Sequence, residues 1–320
     1  MSRRVPRIVA IGDLPADLIV EGLNFPVRDG DFQSTRPVHL DVGGSANLLI
    51  LLSRLGAYAA AVGCLGEDLW GEQVRRILEA EGVKTEGITP AGTTTVAVVL
   101  VDGEGRHAFL GCYGRGGEEA LGERQAVIVT GADALFASGY SLSDKRLRIL
   151  TLDAMNTAGE SGIARFFDPG PAFRGLSREL KCRAVAACDV LLLTEDELRE
   201  LSPGGAEVLL RPGSNSDSAS GPHTVVVKRG SDGCRLFQIG EKALDVPAVR
   251  VSVRDTTAAG DCFDAGFMMA YLKGRNPTDC ARLGICAGAA TVQKIGGGRN
   301  VPTLLEVQTV IGCSGWSIEM

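Results

Sequence analysis

The chain has 320 residues, of which 45% are hydrophobic but only 5% aromatic, and a formal net charge of −6. That length suits one large α/β domain, or one with a small appendage, around a core of Ala, Val, Leu and Ile. The acidic balance and the dispersed Lys and Arg argue against a partner nucleic acid or membrane surface. The 42 glycines follow no period and are expected at turns and close backbone approaches. Nine cysteines form no Cys-x-x-Cys pair and there are only three histidines, so a zinc site is not expected. Most of the thiols sit in apolar contexts and read as small buried side chains.

The basic start, Met1 to Arg7, is followed by a short apolar run that Asp13 interrupts, so it does not read as a signal peptide. No apolar run is long enough to span a membrane, and the expectation is a soluble cytoplasmic protein. Ile8-Val9-Ala10-Ile11-Gly12 reads as a buried first strand. Asp13 and Asp17 follow where a loop begins, as turn residues or as ligand contacts. Residues 18–42 read as short extended pieces. Gly43-Gly44-Ser45-Ala46-Asn47 opens a helix from Leu48 to Leu55, stopped by Gly56. A weak strand over residues 59–63 precedes a helix from about Leu69 to Glu81. Thr93 to Val101, the turn Asp102-Gly103-Glu104-Gly105, and Arg106 to Cys112 read as a hairpin. With residues 18–42 it makes a small sheet suited to a lid that excludes water.

From residue 134 strand and helix alternate. Strands are expected at 134–139, 163–167, 189–193 and 224–228, and helices at 144–158 and 195–201. The second strand ends in Asp168-Pro169-Gly170-Pro171. Residues 212–222 form a surface loop without assigned function. An extended region runs from Gly233 to about Val253, and helices from Gly260 to Leu272 and from Pro277 to Lys294 close the chain. This β-α alternation implies a mainly parallel sheet between helix layers. The whole chain, 1–320, reads as one domain with lid segments at roughly 18–42 and 93–113.

The most informative stretch is Asp255-Thr256-Thr257-Ala258-Ala259-Gly260-Asp261, small polar residues running into an apolar helix. A helix start offers unpaired N–H groups and a positive dipole end, and Ala258, Ala259 and Gly260 are small enough to admit a phosphate. Asp261 beside such an anion site suits a proton acceptor. Taken alone, the junction is read more readily as an ordinary capped helix start. No Gly-x-Gly-x-x-Gly follows the first strand, and neither a P-loop nor a Gly-x-Ser-x-Gly elbow occurs.

Together these motifs resemble the ribokinase-like (PfkB) family of carbohydrate and nucleoside kinases, over nearly the whole chain. Asp255 to Asp261, with Phe263, matches the family's C-terminal pattern. Gly43-Gly44-Ser45-Ala46-Asn47, Arg54-Leu55-Gly56 and Val62-Gly63-x-x-Gly66-x-Asp68-x-x-Gly71 follow its N-terminal pattern in order. The resemblance implies a three-layer α/β/α sandwich with a β-sheet lid. It implies Asp261 as catalytic base, and backbone N–H groups of Ala258, Ala259, Gly260 and Asp261 as an anion hole. Asp17, Gly43, Gly44 and Asn47 are implied on the substrate, with Arg115, Asp168 and Arg174 within reach of it. Asn47 stands four residues after Gly43 where the family usually has five, and Pro15 replaces the Asn of ribokinases proper, which weighs against ribose.

On the nucleotide side, Thr194-Glu195-Asp196-Glu197 matches the family's Asn-x-x-Glu, with Thr194 in place of Asn. Glu197 is implied on Mg²⁺, through water. Lys228, Gly230 and Gly233 resemble the loop along the ATP phosphates and ribose. Gly296-Gly297-Gly298 resembles the segment over the adenine, and Asp255 and Thr257 are implied around a monovalent cation such as K⁺. The implied reaction is transfer of the ATP γ-phosphate to a CH₂OH of a small sugar. A nucleoside acceptor, with Phe25, Phe32, Phe109 and Tyr113 near the lid, is the alternative within the family, and a non-catalytic metabolite-binding homologue is the alternative outside it. Family members often dimerise through the lid, so a homodimer is implied.

Overall fold

The computed structural model describes residues 4–104, 106–117, 119–210 and 221–318. Gly105 of the expected hairpin turn, and residues 212–220 of the expected surface loop, lie outside the described residues. In chain order the first elements are β1 (Arg7–Ile11), β2 (Ala16–Leu23), β3 (His39–Val42), α1 (Ser45–Arg54), β4 (Tyr58–Leu65), α2 (Leu69–Ala80) and β5 (Lys84–Pro90). Next come β6 (Val96–Asp102), β7 (His107–Cys112), α3 (Glu123–Thr130), β8 (Ala134–Ser138), α4 (Gly139–Ser143), α5 (Arg148–Glu160) and β9 (Ala164–Asp168). The remainder are α6 (Arg178–Ala186), β10 (Val190–Thr194), α7 (Glu195–Leu201), β11 (Thr224–Lys228), β12 (Cys234–Gln238), β13 (Leu244–Val246), α8 (Ala259–Leu272), α9 (Pro277–Thr291) and α10 (Leu304–Ser314).

The larger sheet has nine strands in the order β13-β12-β11-β10-β9-β8-β1-β4-β5. All its pairings are parallel except those of β12 and β13, which close one edge antiparallel. Strand periodicity makes it two-faced. Ile8, Ala10, Phe136, Val190 and Leu192 pack into a core shared with α1, α2, α8, α9 and α10. Their neighbours Val9, Ile11, Leu135, Leu191 and Leu193 pack into a second core with α3, α5 and α6. The result is the expected three-layer α/β/α sandwich, in which near-continuous apolar strands are buried on both faces.

The smaller sheet has the order β3-β2-β6-β7, with β2 and β6 parallel and the outer pairs antiparallel. It joins the segments expected to form a lid. Its own apolar cluster is only Ile19, Val99 and Val101.

Five elements have no counterpart in the sequence reading. β5 is an edge strand that carries charge, a Gly and a Pro, so it reads as loop. α3 and α6 each bury only two side chains, which leaves little periodic signal. α10 had a readable start, because Thr303 and Glu306 form a reciprocal cap. The fifth is α4, which precedes the helix expected at 144–158: Asp144 leaves the helical path after α4 (φ −72°, ψ 114°), and the expected helix starts only at Arg148, as α5. Six of the nine cysteines are buried and none is bridged, while Cys112, Cys182 and Cys313 are exposed. Among the described residues no helix is long and apolar enough to cross a membrane.

Candidate active site

β11, β10, β9, β8 and β1 are neighbours, and each meets the surface in a polar residue at its carboxyl end. Asp13 lies just past β1, while Ser138, Asp168, Thr194 and Lys228 end the other four strands. Register sets Ser138 beside Asp168 and Thr194 beside Lys228. Open α/β sheets hold ligands at this edge, because the chain leaves the core there and each strand presents a fresh side chain. The start of α8 faces the row, and Ala258 to Asp261 share a cavity of about 520 Å³ with all five residues. Gly43, Gly44 and Asn47 at the start of α1 form another wall, and Thr95, Ala97, His107 and Phe109 of the lid cover it.

A second cavity, of about 550 Å³, lies on the other side of the α8 start. Val249, Val251, Phe263, Ile285, Ala289 and Val292 give it apolar walls, and Gly230, Gly233 and Gly288 open it. Gly233 has φ +86°, and a Cβ there would collide with the backbone at residues 246–248. The two cavities share Thr194, Lys228, Thr256, Ala259 and Gly260.

Ala258 stands at the N-cap of α8 in left-handed geometry (φ 61°, ψ 6°), the sole positive φ outside glycine among the described residues. That conformation costs about 1–2 kcal/mol. Its methyl group cannot cap, so no side chain covers the first-turn amides of α8. Asp261, in that turn, accepts from Asn47 Nδ2 at 2.8 Å. Burial raises its pKa to about 6; the Asn47 amide opposes this, the Asp168 charge adds to it, and the Lys228 ammonium opposes it.

Asn47 is buried and double-bonded: its Oδ1 accepts from Gly298 N at 2.7 Å. It therefore lines the cavity as a brace between the Asp261 carboxylate and the 296–298 loop. Asp255 braces the same loop from the other side, accepting from Thr257 N and Oγ1 at 2.8 Å each and from Gly296 N at 2.7 Å. Gly297 is required by closeness, since a Cβ would lie 2.6 Å from Asn47 Oδ1.

Asp13 and Asp17 both have pKa values pushed up to about 7, first by burial and then by neighbouring carboxylates. Gly43 admits the Asp17 carboxylate, which would collide with any Cβ there, and Gly44 adopts φ +56° against Asp13. Asp13 Oδ1, Ser45 Oγ and Ser138 Oγ are buried in this wall without a protein partner.

Lys228 Nζ binds Asp168 Oδ2 at 2.7 Å and Asp264 Oδ1 at 3.2 Å, with Asp168 Oδ1 accepting from Gly170 N. Its pKa is raised: the carboxylates of Asp168 and Asp264 outweigh the burial that opposes its charge. Glu197 caps its own helix, accepting from Thr194 N at 2.7 Å, and its pKa is raised by burial and by the Asp168 charge. Glu197, bonded to Thr194, and Asp168, bonded to Lys228, offer hard carboxylate oxygens in the lid-covered cavity next to residues that both cavities share, a donor type that fits Mg²⁺. Among the described residues no group of three or more His, Cys, Asp or Glu side chains is arranged to hold a metal by itself.

Two expected residues stand apart. Arg115 pairs its backbone with Thr93, and its exposed side chain is not part of either cavity. Arg174 forms an ion pair with Glu200 on the surface of α7. Of the aromatic residues considered for a nucleoside, Phe109 and Tyr113 line the lid-covered cavity, and Phe25 and Phe32 do not. Asp264 was missed. A fully buried acid three residues after Asp261 in an apolar helix is a readable signal. Asp13, open in the sequence as a turn residue or a ligand contact, lines the lid-covered cavity, whereas Ser138 and Tyr140 carry no motif.

The sequence pattern described as pfkB family carbohydrate kinase matches residues 5–304. An ATP-dependent ribose-1-phosphate kinase of Halopiger xanaduensis is 33% identical over 93% of this chain and 95% of its own. A nucleoside kinase of Methanothermobacter thermautotrophicus is 26% identical over 92% of each chain. The structure of Arabidopsis thaliana ribokinase complexed with ribose and ATP superimposes with a TM-score of 0.77 at 24% identity, covering 98% of this chain and 100% of that one. With matching motifs, fold and near-complete coverage in agreement, the chain belongs to the pfkB family of carbohydrate kinases and is a phosphotransferase.

Proposed function

We propose that the protein transfers the γ-phosphate of ATP to a primary hydroxyl of a small neutral sugar, with Asp261 as general base. The observation that carries this reading is the meeting of two cavities at the start of α8. The apolar cavity suits the flat base and ribose of a nucleotide, with its phosphates directed toward Lys228 and Gly260. The polar cavity suits a hydroxyl-rich acceptor. A phosphoryl group passing between them lies against the α8 start, where no side chain caps the amides of Gly260 and Asp261 and the Ala259 amide is shared with the Thr256 carbonyl; these donors stabilise charge spreading over its oxygens.

Asp261 accepts the acceptor's proton as its oxygen attacks in line, with Asn47 fixing the carboxylate through its other face. A pKa of about 6 leaves the base ionised at neutral pH yet closer to the pH of the reaction than an ordinary carboxylate. Glu197, with Asp168 and Thr194 beside it, would hold Mg²⁺ through water, and the ion would neutralise charge between the phosphates. Asp255 and Thr257 are the residues proposed beside a monovalent cation.

Acceptor class follows from charge. Lys228 is the sole Lys or Arg lining the polar cavity among the described residues, and Asp168 and Asp264 already hold it. An acceptor bearing its own phosphate would find no free cation in this cavity, and Asp13 and Asp17 would have to stay protonated beside it. Hydroxyl groups, in contrast, give the unpartnered Asp13, Ser45 and Ser138 atoms hydrogen bonds. A nucleoside is the second reading, favoured by His107, Phe109, Tyr113 and Tyr140 around the same cavity. We also propose a homodimer through the lid, whose Leu110 is 60% exposed.

The test is ADP release with ATP, Mg²⁺ and K⁺ against neutral sugars, sugar phosphates and nucleosides. Turnover of a neutral sugar above the other two classes is expected. Preference for a nucleoside selects the second reading, and preference for a sugar phosphate overturns the charge argument. Ligand-induced thermal shifts without turnover of any acceptor would overturn the kinase assignment itself.

A further inference from the structure

The lid meets the body through two segments, residues 92–95 leading into β6 and residues 113–117 leading out of β7. They lie side by side: Thr93 N donates to Arg115 O at 2.7 Å, Arg115 N to Thr93 Oγ1 at 2.8 Å, and Gly114 N to Thr95 Oγ1 at 3.1 Å. Three consecutive threonines occupy the entering segment. An extended chain turns alternate side chains to opposite sides. Thr94 turns to one side, where Asp68, the cap of α2, accepts from its N and Oγ1 at 2.8 Å each.

Arg146, from the short connection between α4 and α5, holds the other side. Its Nη1 donates to Thr93 O at 2.6 Å and its Nη2 to Thr95 Oγ1 at 3.0 Å. Asp144 fixes the guanidinium, accepting from Nη2 at 2.6 Å and from Nε at 3.2 Å. The Arg146 and Asp144 side chains are only 4% and 2% exposed. Gly114 and Gly116 are packed so closely over Arg146 that a Cβ on either would press on its side chain. The Arg146 carbonyl also accepts from Glu119 N at 2.8 Å, beyond the outgoing segment.

We propose that Arg146 is a positioning residue for the acceptor: clamped by Asp144, it sets the angle of the lid through Thr93 and Thr95, with Asp68 and Thr94 as the opposite bearing. The lid sheet has little core of its own, so its attitude depends on these attachments. Thr95 begins the stretch whose continuation, Ala97, faces the acceptor cavity with His107 and Phe109 of β7. No residue of the lid strands lines the second cavity. A tilt of the lid therefore disturbs the acceptor and spares the nucleotide. The guanidinium is suited to this, because one rigid plane serves three partners at fixed angles, which an ammonium cannot do.

The kinetic arm rests on the acceptor reading above. The variants are Arg146→Lys and Asp144→Asn, the second keeping the shape of the clamp if the first does not fold. Each is assayed for acceptor KM, ATP KM and amide hydrogen exchange in β6 and β7. The expected result is an acceptor KM raised about tenfold or more, an ATP KM within about twofold of wild type, and faster exchange confined to the lid strands. Arg146→Lys, which keeps the charge but loses the fork, should disturb the lid more than Asp144→Asn, which leaves the guanidinium its bonds to Thr93 and Thr95. An unchanged acceptor KM in folded variants, or an ATP KM that rises in parallel, overturns the proposal, because a merely structural pair would lower stability without that split. If no acceptor is turned over by the wild type, the functional reading fails and exchange decides alone: unchanged lid exchange overturns the hinge, and faster exchange confined to the lid supports it.

Discussion

Replacing Asp261 with Asn removes the proposed base and keeps its shape. Asp261 Oδ2 accepts from Asn47 Nδ2 at 2.8 Å, so an Asn at 261 retains that bond through its carbonyl and turns an NH₂ to the acceptor. An amide cannot take the hydroxyl proton, and kcat should fall about 10²–10⁴-fold, or roughly 3–5 kcal/mol of barrier. Stability should move the other way. The folded pKa is about 6 against an ordinary 3.8, so the fold disfavours the ionised form. The stabilising contribution of the protonated acid is fully present below pH 3.8 and is lost as the pH rises through about 6. A shift of that size corresponds to at most about 3 kcal/mol, and screening where the carboxyl reaches the cavity reduces this to about 1–2 kcal/mol. Asp261→Asn should therefore melt above wild type at pH 8 and near it at pH 4. The assay combines ADP release at saturating substrates, ATP titration, and melting at both pH values. A kcat within about tenfold of wild type removes Asp261 as base. An inactive variant that has lost ATP binding, or melts lower at pH 8, shows that inactivity came from misfolding and refutes the reasoning.

Wild-type kcat should fall about tenfold per pH unit below about 6, as Asp261 takes up its proton, while remaining level through neutrality. A profile flat down to pH 4.5 would place the titrating base elsewhere. Gly43→Ala puts a Cβ into the Asp17 carboxylate, and the acceptor KM should rise about tenfold with ATP KM unchanged; an equal rise in both would contradict the division into two cavities. Ala289→Phe fills the apolar cavity, and there ATP KM should rise about tenfold and acceptor KM should not, as read by the same assay with each substrate varied.

The sequence made legible what periodicity and local chemistry encode. The apolar runs at 8–12 and 189–193 became β1 and β10, central strands buried on both faces, and α7 fell at residues 195–201 as its acidic first turn suggested. The lid was legible from a turn-bounded hairpin interrupting the alternation. What escaped lacked a local signal. β5 looks like a loop because an edge strand needs no apolar alternation, and α6 is half exposed. In the site, the residues joined through a helix start were legible because Asp255 to Asp261 are contiguous. Ser138, Tyr140 and Arg146 escaped, because each matters only through partners far along the chain. Arg146 bonds Thr93 and Thr95 across a separation of about fifty residues, which no spacing rule anticipates.

Asn47 shows how such long-range contacts change a role. From the motif it is a ligand for a substrate hydroxyl. In the fold, its amide group is occupied at both ends, by Asp261 and by the Gly298 amide. Asp255 holds Gly296 and Thr257 in the same way, so the α8 start, Asp261 and the glycine loop form one hydrogen-bonded unit. Two consequences follow. The direction of the Asp261 lone pairs depends on the 296–298 loop, which carries no reactive group. Any displacement of that loop is also transmitted to Asp261 through a single side chain, because a Cβ at Gly297 or a shorter residue at 47 would break the link directly. The glycines at 296–298 are thus required less by flexibility than by the closeness with which the loop must approach Asn47 to hold the Asp261 carboxylate, the base in the proposed mechanism, in one orientation.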